Sequence, residues 1–150
     1  CGTGEPIAKF LISQGLTVLG IDASSSMLSL AQQRFPNHRW MNLDMRRIDL
    51  KEAFDAVIAW DSFFHLNPED QRKMFLIFRK HIHLNGILLF TSGTEAGEVI
   101  GHMDGREFYH ASLSSEEYRA LLKRHGFKEL LHRVEDPNCG NHTVWVAQAV

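Results

Sequence analysis

Short β-rich runs alternate with longer helical stretches along almost the whole chain, and this alternation restricts the fold more than any other feature. Residues 4–13 carry Ile7, Phe10 and Leu11 at helical spacing, and Gly15 ends the stretch. Residues 17–21 (TVLGI) form a short β-rich run. Residues 24–34 predict a helix that opens on a serine cluster. It turns Met27, Leu28, Leu30 and Ala31 to one apolar face and is stopped by Pro36. Residues 38–42 (HRWMN) and 54–60 (FDAVIAW) are strand-like, the second more strongly. Residues 68–82 predict a helix with Asn67 as N-cap and Pro68 at its first position. Residues 86–91 (GILLFT) are a continuous apolar run, the pattern of a strand buried on both faces. Residues 114–125 predict a helix with a capping-box start and Gly126 as its stop. Two final strands, 127–134 and 142–149, flank the turn signal Asp136-Pro137-Asn138-Cys139-Gly140-Asn141.

These elements predict an α/β fold: a doubly wound, mostly parallel sheet of about six strands, helices on both faces, and a C-terminal antiparallel hairpin. The 150 residues make one domain, 1–150. Residues 94–108 carry glycines and charges of mixed sign with little periodicity, and predict a loop or short insert. The wider stretch 93–112 is a candidate substrate lid. The formal net charge is −2, with Lys and Arg scattered, so neither nucleic acid nor an anionic membrane is an expected partner. No apolar run approaches the ~20 residues of a membrane span. Cys1 and Cys139 stand far apart, which favours a reducing, cytoplasmic setting over a disulfide framework.

Two segments suggest a ligand. Cys1-Gly2-Thr3-Gly4-Glu5 places two glycines one residue apart before a helix, where backbone N–H groups face a bound molecule. A bare G-x-G is equally often only a turn. Asp22 ends the first β-rich run, 18 residues after Gly4. A carboxylate there accepts hydrogen bonds from ribose hydroxyls, or caps the next helix, or does both.

Together with Leu43-Asp44-Met45-Arg46, Phe54-Asp55-Ala56-Val57-Ile58, Ser62-Phe63-Phe64-His65-Leu66 and Leu84-Asn85-Gly86-Ile87-Leu88-Leu89, these segments resemble the class I, Rossmann-like S-adenosylmethionine-dependent methyltransferases. The likeness spans nearly the whole chain in order. It implies S-adenosylmethionine as cofactor, with Gly2, Thr3 and Gly4 near its methionine moiety. Asp22 and Ala23 would lie at the ribose, Met27 near the adenine, and Asp44 and Met45 at the adenine edge. Trp60 would lie beside the methionine and the transferable methyl, and Asp61 is both an expected cofactor-binding residue and a further candidate for substrate chemistry. Met27, Met45 and Trp60 also read as ordinary packing. The dinucleotide pattern G-x-G-x-x-G/A needs a small residue at position 7, where this chain has Ile7, which disfavours a nicotinamide-dependent oxidoreductase.

Methyl transfer to oxygen or nitrogen benefits from a base that titrates near neutrality. Among the nine histidines, His65 is best placed, just beyond the fourth strand of the family pattern, and His110 is second, at the edge of the candidate lid. Tyr109 is a further catalytic candidate. No pair of histidines has the spacing of a shared metal, and none is expected. The glycine turn begins at residue 1, whereas the family places a central strand before it. Upstream residues, a strand donated by a partner chain in a homo-oligomer, and a degenerate, non-catalytic binding relative are the three explanations. The primary expectation is an enzyme methylating a small molecule.

Overall fold

The computed structural model describes residues 1–103 and 105–150; Asp104, inside the candidate lid, and the side chains of His102, Met103 and Arg106 lie outside the described residues. The chain divides into two compact units, Cys1–Asp49 and Leu50–Val150.

In the first unit the glycine segment forms turns, and α1 (Ile7–Ser13) starts only after Pro6, later than the expected residue 4. Next come β1 (Leu19–Asp22), α2 (Ser25–Arg34) and β2 (Arg39–Asn42). Strands β1 and β2 pair in parallel, from Leu19 opposite Arg39 to Asp22 opposite Asn42. Ser24 caps α2, its Oγ accepting from the Met27 N–H at 3.4 Å. The apolar face of α2 is narrower than expected: Leu28 and Ala31 are buried, Met27 and Leu30 exposed. At 3.6 residues per turn, Leu28 and Ala31 sit side by side while Leu30 falls well round the helix.

The second unit contains β3 (Phe54–Ala59), α3 (Pro68–Lys80), β4 (Ile82–Ser92), β5 (Gly97–Met103), β6 (Arg106–Ser112), α4 (Ser115–Arg124), β7 (Phe127–Asp136) and β8 (His142–Ala149). Asn67 and Ser114 cap α3 and α4, accepting from the N–H groups of Asp70 at 2.8 Å and Glu117 at 3.2 Å. The main sheet runs β3-β4-β8-β7, with β3 parallel to β4 and the expected antiparallel hairpin in β7–β8. Strand β4 begins earlier than expected. Phe54 faces Ile82, and after a register shift Ala56 faces Ile87. The irregularity lies at Asn85 (φ +65°) and Gly86, where a Cβ would come 2.9 Å from the Asp55 carbonyl.

Pairing in the described residues is parallel for β1–β2 and β3–β4 and antiparallel for β4–β8, β7–β8 and β5–β6. The segment expected as a loop or insert is a hairpin, β5–β6, with Gly97 opposite Ser112 and Ile100 opposite Tyr109. Val99 and Ile100, successive and therefore on opposite faces, are both exposed. Only Ala111 and Ser112, at the end of β6, are buried among the described hairpin residues, so the segment carries little period-two apolar pattern for a sequence to show.

The core of this unit is aromatic. Phe63 is fully buried, in a short 3-10 turn after β3, with ring centroids 5.5 Å from Phe90 and 5.9 Å from Phe75. Phe90 stacks on Trp145 at 5.7 Å, and Trp145 Nε1 donates to Ser92 Oγ at 2.9 Å. Among the described residues no helix is long and apolar enough to cross a membrane, and both cysteines are free.

Candidate active site

At the carboxyl end of β1 the Asp22 carboxylate gathers backbone donors. The Gly2 N–H reaches Oδ2 at 2.8 Å, the Ser24 N–H reaches Oδ1 at 2.9 Å, and the Cys1 nitrogen is 3.0 Å from Oδ2. Burial raises the Asp22 carboxyl, but the bonds from Ser24 and Gly2, with the contacts from the Cys1 nitrogen, outweigh it and hold the group below its ordinary value. Asp22 therefore ties the glycine turn to the start of α2, while the cap itself is Ser24. A carboxylate accepts roughly four hydrogen bonds, so the group keeps acceptor capacity.

The two glycines differ. Gly2 (φ +56°) has no heavy atom within 4 Å of where a Cβ would stand, so its backbone faces open space. Gly4 (φ +81°) is buried, and a Cβ there would come 2.9 Å from the Phe35 ring. Both need the left-handed conformation that glycine adopts freely. Only Gly2 presents its backbone outward.

The other expected residues of this unit lie on its surface or near it. Ala23 and Met27 are exposed; Thr3 is half-buried and its carbonyl accepts from Arg34 at 3.4 Å. Asp44 caps the turn Met45–Arg47, accepting from the Arg46 N–H at 3.0 Å and from the Arg46 guanidinium at 2.9 Å. The Arg46 side chain and backbone together bring its pKa down to about 2. Met45 is half-buried.

In the second unit, Trp60 and Asp61 follow β3 directly. Asp61 is held at φ +44°, with its N–H donating to Thr91 Oγ1 at 3.0 Å and its carboxylate 2.9 Å from His142 Nε2. His142 Nδ1 also lies 2.6 Å from the Cys139 carbonyl, and the ring packs 5.0 Å from Trp60. Both ring nitrogens therefore face oxygen acceptors. The sequence does not single out His142, because its partners come from Asp61 and the turn before β8, which no local spacing reveals.

His65 and His110, 45 positions apart in the chain, meet: their ring centroids are 4.8 Å apart. Phe64 lies against both, at 4.8 and 4.9 Å. His65 Nδ1 is 3.1 Å from the Tyr109 carbonyl, an acceptor, so Nδ1 carries the proton and Nε2 of the neutral ring is left as a lone pair. Burial first and the His65 ring second lower the pKa of His110, against an opposing pull from Asp61. Both histidines are exposed. Buried Phe63 anchors the turn that presents His65 two residues later.

Tyr109 takes a different place from the one expected. Its hydroxyl donates to Glu98 at 2.6 Å, which pushes its pKa up to about 12. The phenol is thus no base near neutrality, and Tyr109 serves the histidine pair through its carbonyl.

Residues 1–86 match the family model for the methyltransferase domain. An uncharacterized methyltransferase of Bacillus cytotoxicus is 24% identical over 99% of this chain and 73% of its own. A malonyl-[acyl-carrier protein] O-methyltransferase of Bacillus cereus is 29% identical over 81% of this chain and 43% of its own. The chain thus spans from under half to about three quarters of the length of these relatives. Among solved structures, an S-adenosylmethionine-dependent methyltransferase from Clostridium acetobutylicum superposes with a TM-score of 0.80 at 16% identity, covering 99% of this chain and 81% of that one. One from Methanosarcina mazei gives 0.82 at 18% identity, covering 100% and 89%. The chain belongs to the methyltransferase-domain family and has the Rossmann-like fold of the S-adenosylmethionine-dependent methyltransferases.

Proposed function

We propose that this chain transfers a methyl group from S-adenosylmethionine to a hydroxyl or amine of a small molecule, with His65 as general base. The observation that carries the reading is the His65–His110 pair. A backbone carbonyl fixes the His65 tautomer so that Nε2 is free to accept a proton. His110 lies beside it, its own pKa lowered by burial first and by the His65 ring second.

The cofactor fits the residues present. The outward backbone of Gly2 gives close approach, and Asp22 keeps acceptor capacity for ribose hydroxyls. Exposed Met27 offers an apolar surface to an adenine, and Asp44 with Met45 would read its edge once Arg46 shares the carboxylate. When bound, S-adenosylmethionine supplies a methyl on a sulfonium that leaves as a neutral thioether, so the protein mainly contributes alignment. His65 Nε2 takes the acceptor's proton. The His142–Asp61–Thr91 bonds hold Trp60 and Asp61 in a fixed conformation at the end of β3. The hairpin of residues 93–112 carries His110 and acts as the substrate lid. A small acceptor agrees with the net charge of −2, and two unpaired cysteines agree with a cytoplasmic setting. Among similar folds, CalS10 of Micromonospora echinaspora is an amino pentose methyltransferase, an acceptor of the class proposed.

The test uses tritiated S-adenosylmethionine with a panel of small hydroxylated and amino acceptors, comparing the protein with His65→Gln. Transfer that drops roughly 10²–10⁴-fold in the variant is expected. Cofactor binding without transfer to any acceptor would instead favour the non-catalytic relative.

A further inference from the structure

Gln71, on α3, is fully buried, yet every polar atom of its side chain is engaged. Its amide nitrogen donates to the Leu66 carbonyl at 2.8 Å and to the Ala111 carbonyl at 2.9 Å. Its Oε1 accepts from the Tyr118 hydroxyl at 2.7 Å. That hydroxyl accepts in turn from the Leu113 N–H at 3.1 Å, and Tyr118 is fully buried as well. A buried amide normally finds partners, so satisfaction alone says little. The identity of the partners says more. Leu66 follows His65, and Ala111 follows His110.

We propose that Gln71 is a positioning residue, one that bridges the two histidine-bearing segments and so sets the separation of the His65 and His110 rings. One amide has two N–H donors, and each is used on one segment. The Tyr118 hydroxyl fixes which end of the amide faces the carbonyls, because its own proton goes to Oε1. The bond from His65 Nδ1 to the Tyr109 carbonyl depends on the same alignment, since Tyr109 lies two residues before Ala111 on β6. Removing the donors would take the Gln71 bonds from both carbonyls and let the base of the hairpin part from the 3-10 turn. The functional weight of this role rests on the reading of His65 as the base.

The test is nitrogen-15 spectroscopy of the histidine rings in the intact chain, comparing the protein with Gln71→Met, a near-isostere without donors, and with Tyr118→Phe. In the unaltered protein His65 should show the Nδ1–H tautomer. In Gln71→Met it should change to the Nε2–H signature of an unconstrained imidazole, and the His110 titration should move up toward its ordinary value. Tyr118→Phe should move both in the same direction by less. A folded Gln71→Met with an unchanged His65 tautomer would overturn the proposal. If that variant does not fold, an unchanged signature in Tyr118→Phe overturns it. Neither readout uses cofactor or acceptor, so absent methyl transfer would count against the proposed function and leave this inference standing.

Discussion

The two units build their candidate ligand-binding features from different materials. In Cys1–Asp49 the buried apolar side chains are Ala8, Leu28 and Ala31, and the site is made of backbone. Two glycines in left-handed conformation are tied by a carboxylate that accepts main-chain N–H groups. In Leu50–Val150 a cluster of Phe63, Phe75, Phe90, Tyr118 and Trp145 supports exposed side chains, and the site is made of imidazoles and a carboxylate. A backbone site tolerates change in neighbouring side chains but no Cβ at its turn. A side-chain site tolerates change in the turn but no loss of the rings beneath it.

The largest effect should come from the aromatic core. Phe90→Ala removes a ring packed on Phe63, Phe75, Tyr118 and Trp145, and should lower stability by about 3–5 kcal/mol in denaturant unfolding. The matching truncation in the first unit, Leu28→Ala, should cost about 2 kcal/mol. Equal losses would remove the contrast between the units.

The glycines sharpen it. Gly4→Ala adds a left-handed penalty and a Cβ 2.9 Å from the Phe35 ring, together about 2–4 kcal/mol. Gly2→Ala carries only the backbone penalty, about 1–2 kcal/mol, because its Cβ meets open space. If Gly2→Ala proved the more destabilising of the two, the outward surface assigned to Gly2 would be wrong.

The smallest effects concern pH, and the units should soften in different windows. Burial is the first cause of the lowered pKa values of His110, His125 and His132, all in the second unit. Each binds fewer protons folded than unfolded. Stability therefore rises as pH rises from the lowered folded values through the ordinary 6.5, and falls on acidification through the same range. Asp22 and Asp44 have the opposite sign. Their contribution is present above 3.8 and is lost as pH falls through their folded values, about 2 for Asp44. Hydrogen exchange at about pH 8 and about pH 5, spanning the imidazole range, should show the second unit loosening first.

The glycine turn, Asp22 at its strand end, and the helix caps Asn67 and Ser114 are legible in the sequence because each is local, whereas the cap of α2 falls on Ser24 rather than on Asp22. The C-terminal hairpin was legible from its dense turn signal. His65 and His110 were singled out separately, but nothing local says that they meet. The β5–β6 hairpin, buried only at Ala111 and Ser112 among its described residues, offers little apolar alternation to read. His142 is not singled out by the sequence, because its partner Asp61 lies 81 positions away. That the Tyr109 phenol bonds Glu98 across the hairpin has no local signal either.

The most direct measurement is calorimetric titration of the protein with S-adenosylhomocysteine, in parallel with Asp22→Ala. Binding is expected in the unaltered chain and should weaken by about 1–3 kcal/mol in the variant, the scale of lost charged hydrogen bonds. Binding of equal strength in both would reduce Asp22 to a brace of the glycine turn. No binding in the unaltered chain would contradict the assignment of the cofactor to these residues.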